Sequence, residues 1–186
     1  LTVKVEAAEI DRYWLKLREA HECAVGDMQS KDIRNWTDRG LVDVKDSPAG
    51  TGSPRLYSLA SCLQISALHN FKASGGSLTL AKKIADIAVE RLRELVAKET
   101  DFSSRFAEAR HECFLVYTVR ADERVSYLFM TPDEIASVLS ETLGLGARLP
   151  GLEKRLFKID ELISRQIENY FDLVQHCSKD FGLQDE

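Results

Sequence analysis

The chain has 186 residues, long enough to bury a core without disulfides or a structural metal. At 44% hydrophobic and 30% charged, its composition is that of an ordinary globular protein, and no apolar run approaches the roughly 20 residues of a membrane span. A net charge of -5 excludes indiscriminate coating of nucleic acid, but residues 1–77 carry ten Lys/Arg and ten Asp/Glu, residues 78–186 fifteen against twenty, and residues 28–77 six against four.

Residues 6–24 are rich in helix formers, with Ala7, Ile10, Trp14, Leu17 and Ala20 at helical spacing, which predicts one helix over most of that stretch. After a break near 25–29, a second helix is expected from Ser30 to Arg39, with Ile33 and Trp36 facing inward and Gly40 ending it at C′. Val42 and Val44 then alternate with Asp43 and Lys45 as in a short strand. Residues 46–54, with two Pro and two Gly, read as a loop, and Arg55 to Tyr57 as the return strand. Ser58 caps a helix to about Ser74, Gly75 and Gly76 break it, and Ser77 opens another that reaches about Glu99. In that helix Leu80, Ile84, Ile87, Leu92 and Leu95 form an apolar stripe that must be buried, on the rest of the chain or on a second subunit.

A short helical stretch is expected at Ser103 to Arg110, then strands at Cys113 to Val119 and Arg124 to Met130 joined by a hairpin turn. Both strands are apolar on consecutive positions, which predicts cover on both faces. Thr131-Pro132-Asp133-Glu134 is a helix start, with Thr at N-cap, Pro at N1 and Glu at N3, and Gly144 is the stop. Leu152, Leu156, Ile159, Ile163, Ile167, Tyr170 and Val174 repeat at steps of four and three, which predicts a long amphipathic helix. The fold class is therefore mainly α with small β elements.

No catalytic set emerges. His21, His69, His111 and His176 lack a Ser or Cys in a nucleophile motif, no glycine-rich phosphate loop is present, and the reading is not an enzyme and needs no cofactor. Cys23, Cys62, Cys113 and Cys177 lie 39, 51 and 64 residues apart, without the close spacing of zinc or redox motifs. The triplet His-Glu-Cys, at His21 to Cys23 and again at His111 to Cys113, is read as core or surface, so no metal is expected. The N-terminal residues show no basic stretch leading into an apolar segment, and the expected location is cytoplasmic, with no membrane partner.

Two short helices, a hairpin and a third helix make a winged helix-turn-helix, whose second helix enters a major groove while the hairpin grips the flanking backbone. Three pieces carry a more specific likeness: Ile33-Arg34-Asn35-Trp36-Thr37 with Gly40-Leu41, then Arg55-Leu56-Tyr57-Ser58, then Gly75-Gly76-Ser77-Leu78. In order and spacing they resemble the MerR family of bacterial transcription regulators, over about residues 20–99. That family's signature runs Leu-Arg-Tyr-Tyr-Glu-x-x-Gly-Leu, Gly-Tyr-Arg-Leu-Tyr-Ser, then Gly-x-Ser-Leu opening a dimerisation helix. Asn35 stands at its first aromatic and Pro54 at its wing Tyr.

The resemblance implies that Arg34 and Trp36 lie near the DNA backbone and that Arg55 and Tyr57 are wing residues touching phosphate. A guanidinium fork suits phosphate oxygens in any case. Ser30, Lys31, Asn35 and Arg39 complete the expected DNA-facing set, with Asn35 suited to adenine and Lys31 to guanine. Packing is the alternative for Trp36 and Tyr57, and a salt bridge to Asp38 at i+4 the alternative for Arg34. The resemblance further implies a homodimer on a pseudo-palindrome, paired through the Leu80 to Leu95 stripe, with RNA polymerase as a partner at the promoter. Packing of that stripe on the helix from Leu152 to Val174 is the intramolecular alternative.

The expected organisation is a winged helix-turn-helix with a helical extension at 1–77, a dimerisation helix at 78–100, and an α+β regulatory or interaction module at 101–186. Metal-sensing members of the family cluster cysteines behind the dimerisation helix, whereas only Cys113 and Cys177 lie there. Phe114, Tyr117, Tyr127 and Phe129 are candidate linings of a small pocket for a small-molecule effector, their bland alternative being core. The functional expectation is a regulator reading one site on double-stranded DNA. A winged protein-interaction or nucleoid-organising module without a defined operator is the rival.

Overall fold

The structure is a computed structural model that describes residues 10, 13–45, 54–73, 75–98, 114–119, 125–137 and 154–177. It is mainly helical. In chain order come α1 (Leu17–Cys23), α2 (Ser30–Asp38), α3 (Leu59–Ala73), α4 (Leu78–Lys98), β1 (Phe114–Val119), β2 (Val125–Met130), β3 (Lys154–Lys158) and α5 (Ile159–Cys177). Two compact units divide the chain, one of residues 1–108 with 162–186 and the other of residues 109–161. The expected module at 101–186 is thus split, since α5 from Leu162 onward groups with the first four helices.

In the larger unit α3 is the central element. Leu59, Leu63, Ile65, Leu68 and Phe71 are all buried, as are Ser61, Gln64 and Ser66, so the helix has no solvated face from Leu59 to Leu68. Each buried polar side chain is satisfied, as the cost of desolvation requires. Ser61 Oγ donates to the Asp43 carbonyl at 2.5 Å, Gln64 Oε1 accepts from the Asp43 N–H at 2.8 Å, and Ser66 Oγ accepts from the Val25 N–H at 2.7 Å. Ser58 caps the helix. Its Oγ accepts from the Ser61 N–H at 3.3 Å while Ser61 Oγ accepts from the Ser58 N–H at 3.1 Å, a reciprocal capping box with serine at N3.

At its far end α3 stops in a Schellman turn. Gly75, at φ +86, donates to the Lys72 carbonyl at 2.9 Å, and Gly76 to the Phe71 carbonyl at 3.2 Å. The two glycines are needed for different reasons. Gly75 supplies the left-handed backbone, whereas a Cβ on Gly76 would lie 1.8 Å from the Phe71 ring. Ser77 Oγ then accepts from the Leu80 N–H at 3.2 Å and caps α4.

α4 lies along α3, with Ala81, Ile84, Ala85, Ala88 and Leu92 buried. Three alanines on that face let the helices approach closely, which corrects the expected dimerisation stripe. Ile84, Ile87 and Leu92 are covered within the chain itself, and only Leu80 and Leu95 are half-exposed. α3 is the helix seen packed against α4.

Two further expectations are corrected. Residues 13–16 are extended rather than helical, and Leu15 forms an antiparallel bridge with Tyr57; α1 begins only at Leu17. Residues 154–158, expected as the start of the last helix, form β3. Leu156 and Ile159 fit a helical period as well as a strand, and the free edge of β1 decides between them.

In the smaller unit β1 is central, in the order β2-β1-β3, and antiparallel to both neighbours. Phe114 pairs with Met130 and Val119 with Val125 along β2, while Phe114 pairs with Lys158 and Thr118 with Lys154 along β3. Leu115 is fully buried. Thr131 opens the helical residues 132–137 as expected, its N–H donating to Glu134 Oε2 at 2.7 Å and its Oγ1 accepting from the Glu134 N–H at 3.4 Å. The expected helix at 103–110, the turn at 120–123 and the stop at Gly144 lie outside the described residues.

Candidate nucleic-acid interface

α2 sorts its side chains sharply. Ile33, Trp36 and Thr37 point into the larger unit, and Lys31, Arg34, Asn35, Asp38 and Arg39 are exposed. The helix ends as predicted at Gly40, whose φ of +67 suits the Schellman turn. Gly40 donates to the Thr37 carbonyl at 3.0 Å and Leu41 to the Trp36 carbonyl at 2.9 Å. The turn between α1 and α2 is held from beneath. Gly26, at φ +134, lies against His69, where a Cβ would come within 2.4 Å of the ring, and Asn70 Nδ2 donates to the Val25 carbonyl at 3.1 Å. His21 Nε2 donates to the Met28 carbonyl at 2.7 Å across the same turn.

Beside α2 the chain forms a small patch of paired backbone. Lys45 bridges Leu56, and Leu15 bridges Tyr57 with both N–H groups donating at 2.8 Å. The patch therefore gathers three segments that are distant in sequence. Lys45 also sets its ammonium 5.3 Å from the Trp14 ring centroid.

Between α2 and this patch runs a groove of about 740 Å³, lined by Lys16, Leu17, Arg18, Ser30, Arg34, Pro54, Arg55 and Tyr57. Four of the eight are cationic, and they come from residues 16–18, from α2 and from 54–57. Arg55 Nη1 donates to Asp38 Oδ1 at 2.5 Å, with the side chains 41% and 60% exposed, and Arg18 pairs with Glu22 at 3.0 Å. Pairs this exposed stabilise by only about 0–1 kcal/mol, so they orient the guanidiniums more than they hold the fold. Asp38 is engaged by Arg55 rather than by Arg34. Among the described residues Arg34 has no ion partner, and the i+4 bridge that was its alternative is not formed.

Ser30, Arg34 and Arg55 thus meet in one groove, while Lys31, Asn35 and Arg39 lie exposed on α2 nearby. Trp36 is corrected from contact residue to core, and Tyr57 is packed in the core where it borders the groove. Each side chain is 1% exposed; the Tyr57 hydroxyl lies 3.3 Å from Thr37 Oγ1, and Trp36 carries the Lys72 ammonium 5.8 Å from its ring centroid. Lys16 and Arg18 were missed. Their signal was the polar flank of Trp14-Leu15, which becomes visible as a groove wall only when Leu15 is known to pair with Tyr57.

The expected effector pocket fares differently. Tyr127 is 39% exposed and meets the half-buried Phe129 edge to face, with centroids 5.7 Å apart. The side chains of Phe114 and Tyr117 lie outside the described part of the structure.

Among the described residues, no three or more His, Cys, Asp or Glu are placed to hold a metal ion, and no helix is long and apolar enough to cross a membrane. Cys23 and Cys62 are free and buried side by side. Burial, reinforced by the neighbouring Cys23, pushes the Cys62 thiol well above its ordinary value, which keeps it protonated and unreactive. No family model and no curated protein matches the chain.

Proposed function

We propose that the chain is a DNA-binding transcription regulator of the MerR type, with α1 and α2 as its helix-turn-helix and the segment from Lys45 to Tyr57 as its wing. The observation that carries this reading is the cationic groove beside the exposed face of α2. Its four positive side chains offer donors to phosphate oxygens, beside a helix that exposes Lys31, Asn35 and Arg39 for base edges. The net charge of -5 is no obstacle, since the surplus of acid lies beyond residue 77.

In this reading the protein works as a homodimer on a pseudo-palindrome, paired through a surface other than Ile84, Ile87 and Leu92. It acts in the cytoplasm with RNA polymerase as its partner at the promoter, and its role is binding rather than catalysis. A small-molecule effector, in this reading, binds beside Phe114, Tyr117, Tyr127 and Phe129.

The test uses duplex DNA from upstream of its own gene, read by fluorescence anisotropy between 50 and 200 mM salt. Binding should weaken steeply with salt, and Arg34→Ala and Arg55→Ala should each lower the magnitude of the salt slope by about one. Absence of binding at micromolar protein, or slopes unchanged in both variants, would overturn the reading. A footprint separates it from the rival organising module, because a regulator protects one defined site and an organiser protects DNA broadly.

A further inference from the structure

α5 grips the start of the chain through main-chain carbonyls. Gln166 is fully buried and makes three hydrogen bonds: its Oε1 accepts from Ser66 Oγ at 2.5 Å, and its Nε2 donates to the Cys23 carbonyl at 3.1 Å and to Cys23 Sγ at 2.8 Å. Asn169 Nδ2 donates to the same carbonyl at 3.2 Å, and the Tyr170 hydroxyl donates to the Tyr13 carbonyl. Positions 166, 169 and 170 follow the i, i+3, i+4 spacing of one helix face.

Their targets bracket a single segment. Tyr13 and Cys23 are its two ends, Leu15 is tied to Tyr57 between them, and Lys16, Leu17 and Arg18 are its contribution to the groove. α1 has seven residues, too few to persist alone in water, and the last carbonyls of any helix lack partners within it. Ala24 is extended, at φ -67 and ψ 141, so no glycine turn closes α1. The Cys23 carbonyl instead receives two donors from α5. Ser66, held by Gln166, also accepts from the Val25 N–H at 2.7 Å, which extends the same network into the turn between α1 and α2.

We propose that α5 is the positioning element of the groove: Gln166, Asn169 and Tyr170 fix the segment Tyr13 to Cys23, and with it Lys16 and Arg18, so that affinity for a phosphate backbone is set from the C-terminal helix. This rests on the DNA-binding reading of the groove. The three are positioning residues, since none of them lines it.

The experiment uses the full chain carrying Asn169→Ala and Tyr170→Phe together, which removes two donors and opens little space. Amide exchange is followed over residues 13–23 and over α3 and α4, and anisotropy with the same duplex is followed against salt. Exchange at 13–23 should rise roughly tenfold while α3 and α4 keep their protection. Affinity should fall by about threefold to tenfold, and the salt slope by about one to two as Lys16 and Arg18 lose their register. A merely structural role would lower protection across all helices together and leave the slope unchanged. Unchanged exchange at 13–23 overturns the proposal, as does raised exchange with wild-type affinity and slope. If the wild-type chain binds no duplex, it is the DNA reading that falls, while the exchange measurement still decides whether α5 holds this segment.

Discussion

α2 and α3 stand side by side in sequence and make opposite use of polar residues. α2 turns Lys31, Arg34, Asn35 and Arg39 to solvent and anchors itself with Ile33 and Trp36. α3 buries Ser61, Gln64 and Ser66 and directs each of them to the backbone or side chains of other segments. The contrast teaches that polarity alone does not mark a functional face. Charged side chains that cannot be buried unpaired must point outward, whereas hydroxyls and amides go inside wherever a partner waits.

The strongest way to break the comparison is to remove core from α3. Leu63→Ala should cost about 2–5 kcal/mol, because the surrounding side chains are fully buried and close only partly around the gap. Urea unfolding followed by circular dichroism reads this, and a loss below about 1 kcal/mol would mean that α3 is not the centre of the core.

A smaller effect should appear at alkaline pH. Because burial raises the Cys62 pKa in the folded state, the fold keeps a proton that the unfolded chain releases near pH 8.5. Its contribution is therefore fully present below that pH and is lost as pH rises through the folded value. The urea midpoint should decline above about pH 8.5, and the decline should be shallower in Cys62→Ala; identical alkaline limbs for the two proteins would refute the assignment.

The smallest change in stability is expected on the exposed side of α2. Asn35→Ala should move the midpoint by no more than about 0.5 kcal/mol, yet alter discrimination at one base pair by about 1–3 kcal/mol if the amide pairs with adenine. Competition binding with single-base variants of the protected site measures this. A large loss of stability with unchanged discrimination would place Asn35 with the framework of α3 rather than with the presenting face.

The helix boundaries were legible because their causes are local. Gly40, Ser58, Gly75 with Gly76, Ser77 and Thr131 each act on backbone within a few residues, and each terminates or opens a helix where the sequence places it. What escaped depends on distant partners. Leu15 pairs with Tyr57, residues 154–158 add to β1, and Ile84, Ile87 and Leu92 of α4 are buried within the chain. Of the candidate site, Arg34 and Arg55 could be singled out by their chemistry, but Lys16 and Arg18 join them only through the pairing of Leu15. Trp36 and Tyr57 went the other way, since an aromatic in a small domain fits contact and core equally well until its exposure is known.

The bridge between Leu15 and Tyr57 joins residues 42 positions apart. Closing so long a loop sacrifices chain entropy before any contact rewards it, whereas α3, its cap and the Schellman turn into α4 need only near neighbours. The groove is thus a product of a less local step in assembly than the core around α3. A chain that has collapsed around α3 without joining those two residues has a core but lacks one wall of the groove, so tight binding reports complete folding and not merely compaction.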